Sequence, residues 1–260
     1  MLELYHWEPN TSSLKPLVVL HEKGLDFTSH YVDFGALEQY ALSNVAATLE
    51  VKHNPDGEGP ILVDGGVPMT EAFFISLYLD EAYPQNPLRP TDAYGRWTVL
   101  KWARFLNEVV GPAVATLGCH RYLAPALKRA PRADIEGRIA DIPTKERRDG
   151  WLAALNGDYP DTLLEDSRRK IGIAVKTVED ALANGDWIAG ASYSLADIDA
   201  FSLLAPAKTL EPALFAAAPR TNAWLDRTGA RPAVKAAFKT SKTGMPLEAF
   251  APGPEHSRWG

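Results

Sequence analysis

A single cysteine, Cys119, stands among 260 residues. That excludes an internal disulfide and any structural zinc site built on cysteines. The chain lacks a basic stripe: 27 lysines and arginines are scattered among 33 aspartates and glutamates, for a net charge of −6. No nucleic-acid partner is therefore expected. No apolar run approaches the roughly 20 residues that span a bilayer, and no membrane association is expected. The opening MLELYHWEPN lacks a basic start followed by an apolar stretch, so no signal peptide is read and the expected location is the cytoplasm. There is no internal repeat and no low-complexity segment. What is present is a hydrophobic content of 46%, ample for a buried core, and a length that fits one large domain or two modest ones.

Along the chain, Leu2, Leu4 and His6 alternate with Glu3, Tyr5 and Trp7 as a first strand, which Glu8-Pro9-Asn10 ends. Thr11, Ser12 and Ser13 precede LKPLVVLHEKG, a helix with a hydroxyl cap at its start, Pro16 in its first turn and Gly24 in the stop position. Phe27 to Phe34 read as a second strand, parallel to the first because the connection is long enough. Residues 35–53 read as an irregular helix or loop. Ile61, Leu62 and Val63 form a third strand, and Asp64-Gly65-Gly66 is a hairpin signal supplying positive φ. Thr70-Glu71 opens a helix with Phe73, Phe74, Leu77 and Tyr78 at helical spacing, stopped by Pro84.

After the proline-rich PQNPLRPTD the strand signals vanish. WTVLKWARFLNEVV is an amphipathic helix that Gly111-Pro112 breaks or kinks. Residues 131–150 read as loop-like or weakly helical. Leu164 to Leu182 mark a long helix, Ser194-Leu195-Ala196-Asp197 a capping-box variant, and 221–229 and 231–239 two shorter helices. The tail APGPEHSRWG carries weak signals and either moves freely or drapes over a site.

The stretch NPDGEGPILVDGGVPMTEA, residues 54–72, followed downstream by GASYSLADIDAF at 190–201 and preceded by a hydroxyl cluster after strand one, resembles the glutathione transferases. The resemblance covers nearly the whole chain. It implies an α+β fold: an N-terminal thioredoxin-like domain (βαβ-ββα) over residues 1–84, then an all-α helical domain over 92–260. Within the family, Ser12-Ser13-Leu14-Lys15-Pro16, Glu22-Lys23-Gly24-Leu25 and IPTKERRDGW at 142–151 are similar to the bacterial β-etherases, which cleave lignin-derived aryl ethers. The implied reaction is displacement by glutathione: its thiolate attacks carbon and a phenolate leaves.

A free thiol with a pKa near 8.5 is mostly protonated at neutral pH, so the protein must favour the anion. A hydroxyl donor and a helix N-terminus both do so. Ser12 and Ser13 stand where both act, and either is the candidate donor to sulfur; a serine there also serves as an N-cap. The resemblance implies that Glu71 binds the γ-glutamyl amino group, that Pro60 is cis, and that Gly59 pairs its backbone with the cysteinyl unit. Gln39 and Glu58 are further candidates for polar contacts. Ala72 stands where most members have serine. A hydrogen bond to a charged group contributes about 1.5–3 kcal/mol, so this departure predicts glutathione binding weaker by roughly ten-fold or more. The residue before the proline is usually larger than Gly59, and 35–53 is longer than usual.

Trp7, Tyr40, Phe105, Tyr122 and Trp151 are candidate liners of an aromatic substrate site between the domains. Cys119-His120-Arg121 is read as structural, because neighbours on a helix do not face each other. The leading function is β-aryl ether cleavage. The alternatives are a transferase acting on another small electrophile, and a weakly active subunit partnering a paralogue. The family resemblance implies a dimer, either with a second copy or with a paralogue.

Overall fold

The computed structural model describes residues 1–38, 59–142 and 144–253. Gln39, Tyr40, Glu58, most of the 35–53 segment, Pro143 and the last seven residues lie outside them.

Strand β1 (Leu2–His6) buries Leu2, Leu4 and His6, as its alternation requires. It pairs in parallel with β2 (Phe27–Tyr31) and antiparallel with β3 (Ile61–Asp64); β4 (Val67–Met69) pairs antiparallel with β3. The sheet order is β2-β1-β3-β4. Gly65 and Gly66 carry φ of 56° and 86° and make the two-residue hairpin turn. Strand β2 stops at Tyr31, short of the expected Phe34. The Asp33 carboxylate accepts from Ala36 N–H at 3.0 Å, which turns the backbone away from the ladder.

Helix α1 (Thr11–Glu22) differs from expectation in two ways. Its cap is Asn10, whose Oδ1 accepts from Thr11 N–H at 2.9 Å, and not a hydroxyl. Pro16 consequently lies inside the helix, where it removes the N–H that would donate to the Ser12 carbonyl. Gly24, at φ 65°, ends the helix as expected. Helix α2 (Ala72–Ala82) follows β4.

From α3 (Ala93–Phe105) onward only helices follow, among the described residues. Gly111-Pro112 does not break the run. A π-turn at Leu106–Val110, closed by Gly111 N–H to the Leu106 carbonyl, leads into α4 (Gly111–Gly118). A second π-turn at Cys119–Leu123 leads into α5 (Ala124–Leu127). Each wide turn sits just before a proline, Pro112 and Pro125, so the missing amide falls where the ladder has already shifted. The charged 131–150 region is also a correction: α6 (Arg132–Ala140) and α7 (Lys145–Asn156) occupy it, burying Ile135, Ile139, Trp151 and Leu155. Apolar positions this sparse among charges still make one narrow stripe. Helix α8 (Asp161–Ala181) is the long helix, and α9 (Leu195–Leu210) is the buried central one. Asp197 reaches back to accept from Ser194 N–H at 3.0 Å, the expected cap, and also takes Trp224 Nε1–H at 2.9 Å. Helices α10 (Pro219–Gly229) and α11 (Pro232–Phe238) close the set. No helix among the described residues is long and apolar enough to cross a membrane.

One apolar core runs through both halves, and α1 packs against α2, α9 and α11. Polar ties fasten α1 to its neighbours in both halves, and those of Lys15 and Lys23 are buried. Lys15 Nζ lies 2.5 Å from Asp199 and 2.6 Å from Asn107 Oδ1, and Asn107 Nδ2 donates to Asp199 at 2.9 Å. Lys23 Nζ meets Asp80 at 3.0 Å and the carbonyls of Gln85 and Asn86. Asp80 also accepts from Leu88 N–H and Arg89. Arg231 grips Glu22 through two N–H donors at 2.6 and 2.9 Å.

Candidate functional site

The sheet register gathers most of the sequence-derived candidates at one end. Tyr5 faces Ile61, so Gly59-Pro60 lies beside the end of β1. Met69 faces Leu62, so Glu71 emerges beside Pro60. The Gly59-Pro60 peptide is cis, as the resemblance implied. Gln39 and Glu58 lie outside the described residues.

Ser12 and Ser13 are placed differently. Ser12 is exposed near the head of α1. Ser13 is buried, and its Oγ accepts from Trp7 N–H at 3.2 Å. Glu71 is exposed at φ 68°, ψ 102°, immediately before α2, whose first residue is the buried Ala72. Thr11, immediately before Ser12, has φ 41°. A residue with a Cβ held at such angles costs about 1–3 kcal/mol, and such outliers gather at functional sites. Two of them here stand at the two helix N-termini that bracket the sheet end, each a place where backbone N–H groups favour an anion.

Gly59 has a local reason. A Cβ there would meet the Phe34 ring at 1.9 Å, so that ring fills the space of a larger residue. Phe34 also packs against Trp7, with ring centroids 5.9 Å apart. Trp7 in turn borders a cavity of about 600 Å³, lined by Tyr122, Leu127, Ile135 and Phe250 among apolar groups and by Arg129, Asp134, Arg138 and Glu248 among charged ones. Of the expected liners, Trp7 and Tyr122 border it, Phe105 packs on the core, Trp151 is buried within it, and Tyr40 lies outside the described residues. A cavity of this size suits a ligand of one or two aromatic rings.

Sequence reasoning missed three contributors. Asn10 was legible as an N-cap residue but was read as the end of a strand; besides its cap, its Nδ2 donates to the Ala249 carbonyl at 2.8 Å. Phe34 carried no signal without the fold. Glu8 is 1% exposed, and its carboxylate accepts from Tyr31 OH, Ser241 Oγ, Lys242 N–H, Thr243 N–H and Thr243 Oγ1 at 2.6–3.1 Å. Burial alone would raise its pKa, but these donors outweigh burial and hold it below the ordinary glutamate value. Burial lowers the His6 pKa; its Nδ1 lies 2.6 Å from the Trp7 carbonyl and its Nε2 2.7 Å from Ser29 Oγ. Burial likewise pushes the Cys119 thiol up, which fits a structural cysteine and not a nucleophile.

The glutathione S-transferase N-terminal domain matches residues 1–81, and the C-terminal domain of the same family matches residues 144–232. Protein LigF of Sphingobium sp. strain SYK-6 is 34% identical over 93% of this chain and 94% of its own length. The crystal structure of the beta-etherase LigF superposes with a TM-score of 0.84 at 32% identity, covering 92% of this chain and 99% of that one. Glutathione transferase F7 from Populus trichocarpa superposes at a TM-score of 0.67 and 25% identity, covering 92% and 98%. The chain belongs to the glutathione S-transferase family.

Proposed function

We propose that the protein cleaves a β-aryl ether by glutathione displacement, with the sulfur at the sheet end and the aromatic substrate in the 600 Å³ cavity. The thiolate attacks the carbon that bears the aryloxy group. A C–S bond forms, the C–O bond breaks, and the electron pair leaves with the phenolate, which takes a proton from water. Glutathione supplies the nucleophile. This chain's residues hold it and keep it ionised. Ser12 donates its O–H to the sulfur near the N-terminus of α1, while Ser13 fixes Trp7 through the bond to its N–H. Glu71 takes the γ-glutamyl ammonium, the N-terminal amides of α2 take the neighbouring carboxylate, and the Gly59 backbone pairs with the cysteinyl unit.

The observation that carries this reading is continuity. Trp7 and Phe34 connect Gly59, at the thiol end, to a cavity of about 600 Å³ that Trp7, Tyr122 and Phe250 line. The similarity to LigF over nearly the full chain supports the same chemistry. We further infer a dimer. Val67 and Phe74 are exposed on the sheet half, and Tyr94 and Trp97, 75% and 52% exposed, on α3. Such apolar faces on both halves suit cross-domain pairing of two copies or of a paralogue. The reading places the enzyme in the cytoplasm, where glutathione is kept reduced.

The test is phenol release from a β-aryl ether ketone by the purified protein, with and without glutathione. Release that depends on glutathione and yields its thioether is the expected outcome. Absence of release, with a small halonitrobenzene still conjugated, would replace the ether by another electrophile. Absence of both would leave the inactive-subunit reading.

A further inference from the structure

The segment after α11 doubles back over the sheet end, and it is tied there at its start, near its middle and at its end. At its start the five donors to Glu8 include Ser241, Lys242 and Thr243. In its middle Asn10 holds the Ala249 carbonyl. At its end the Phe250 ring stacks on Tyr122, 6.1 Å between centroids and 3° from parallel. It lies where a Cβ on Gly118 would strike it at 2.3 Å, so the absence of a side chain at 118 makes its seat. Arg147 Nη1 donates to the Pro252 carbonyl. Between these ties, Thr243, Met245, Glu248, Ala249 and Phe250 line the 600 Å³ cavity.

We propose that residues 241–253 are the fixed outer wall of the substrate cavity and that Glu8 is the positioning residue that sets this wall, so that Glu8 governs which aromatic substrates fit without touching them. This rests on the cavity being the substrate site. Glu8 and Asn10 belong to the β1–α1 loop that leads directly into Ser12 and Ser13 at the head of α1, so one short loop ties the wall to the start of the helix that carries the sulfur donor. A buried carboxylate with five donors has one arrangement, and replacing it leaves several donors facing a poorer acceptor.

The test compares wild type, Glu8→Gln and Phe250→Ala. Hydrogen exchange reads the wall, calorimetry reads binding of glutathione and of a β-aryl ether ketone, and kinetics read KM against kcat. In Glu8→Gln the amides of 242–250 should exchange ten-fold faster or more. The β-aryl ether ketone should bind at least five-fold more weakly, with KM rising in step, while glutathione affinity stays within two-fold. Phe250→Ala should relax the size limit, so that bulkier aryl ethers gain relative to the small one. Unchanged exchange in Glu8→Gln would overturn the positioning role. Faster exchange with unchanged ether binding would show that the wall does not select substrate. Parallel loss of glutathione and ether binding would reduce Glu8 to a general structural part. Exchange and binding need no turnover, so a wild type that releases no phenol counts against the β-ether reading and leaves this inference to be decided by its own measurements.

Discussion

At the scale of single residues, the proposed site asks unlike jobs of side chains at adjacent positions. Ser12 is exposed and Ser13 buried, so their alanine variants should separate. Losing a hydrogen bond to a charged group costs about 1.5–3 kcal/mol, so Ser12→Ala should lower turnover roughly ten-fold or more and raise the pKa of the bound thiol. Ultraviolet absorbance of the thiolate across pH reads this directly. An unchanged titration would remove Ser12 from the sulfur. Gly59 makes a second case. Gly59→Ala should weaken glutathione binding, because the nearest Phe34 ring atom stands 1.9 Å from the added Cβ. Overpacking of this kind costs about 1–3 kcal/mol. Adding Phe34→Ala should restore binding, and calorimetry on both variants checks the pair. The departure of Gly59 from the family habit was visible in the sequence, but its cause was not, since Phe34 is 25 residues away and meets Gly59 only after the sheet has formed. The strand ends and helix starts that place Ser12, Ser13, Pro60 and Glu71 were legible because each lies in a short local pattern.

At the scale of elements, two of the three motifs that carry the etherase resemblance turn out to be fastenings. Lys15 of Leu-Lys-Pro joins α1 to α9 and to Asn107 in the first π-turn. Lys23 of Glu-Lys-Gly-Leu joins α1 to α2 through Asp80, and Glu22 joins it to α11 through Arg231. Removing one member of a buried ion pair costs about 3–5 kcal/mol, because the other charge is left in the core. Lys15→Met should therefore lower unfolding free energy by about that amount in urea titration. The double variant Lys15→Met with Asp199→Leu should recover most of it. The strands, α1, α8 and the α9 cap were legible from alternation, capping and spacing. Helices α6 and α7 were not, since charge dominates their composition and only a thin apolar stripe reveals them. The proline-rich segment reads as a linker by composition. Its Leu88 N–H and carbonyl are nevertheless fastened, to Asp80 at 2.7 Å and to Leu195 N–H at 2.8 Å.

At the scale of the whole molecule, these ties set how the protein meets acid. Glu8 and Asp80 are held below their ordinary values of 4.5 and 3.8 against the effect of burial, Glu8 by hydrogen bonds and Asp80 by Arg89, Leu88 N–H and Lys23. The native state then binds fewer protons at these carboxylates than the unfolded chain. Their contribution is complete above the unfolded values and is lost as pH falls through the lower native ones. His6, whose pKa burial lowers, acts in the same sense as pH falls below its unfolded value of about 6.5. Asp197 acts in the opposite sense, because burial pushes it up to about 6, and its native form gains a proton on the way down. The melting temperature should thus change little from pH 7 to 5 and fall steeply below about 4.5, and Glu8→Gln should flatten part of that fall; scanning calorimetry from pH 3 to 8 decides both. The run from Ala93 to Leu127 adds a consequence of another kind. An α-helix advances about 100° per residue, so the one extra residue in a π-turn changes the rotational phase of everything beyond it. Deleting one residue from Leu106–Val110 would restore a regular spiral and swing the far end by about that angle. Tyr122 would leave the cavity and the notch at Gly118 would turn from Phe250, so the shape of the aromatic chamber is set by a count of residues as much as by their identity.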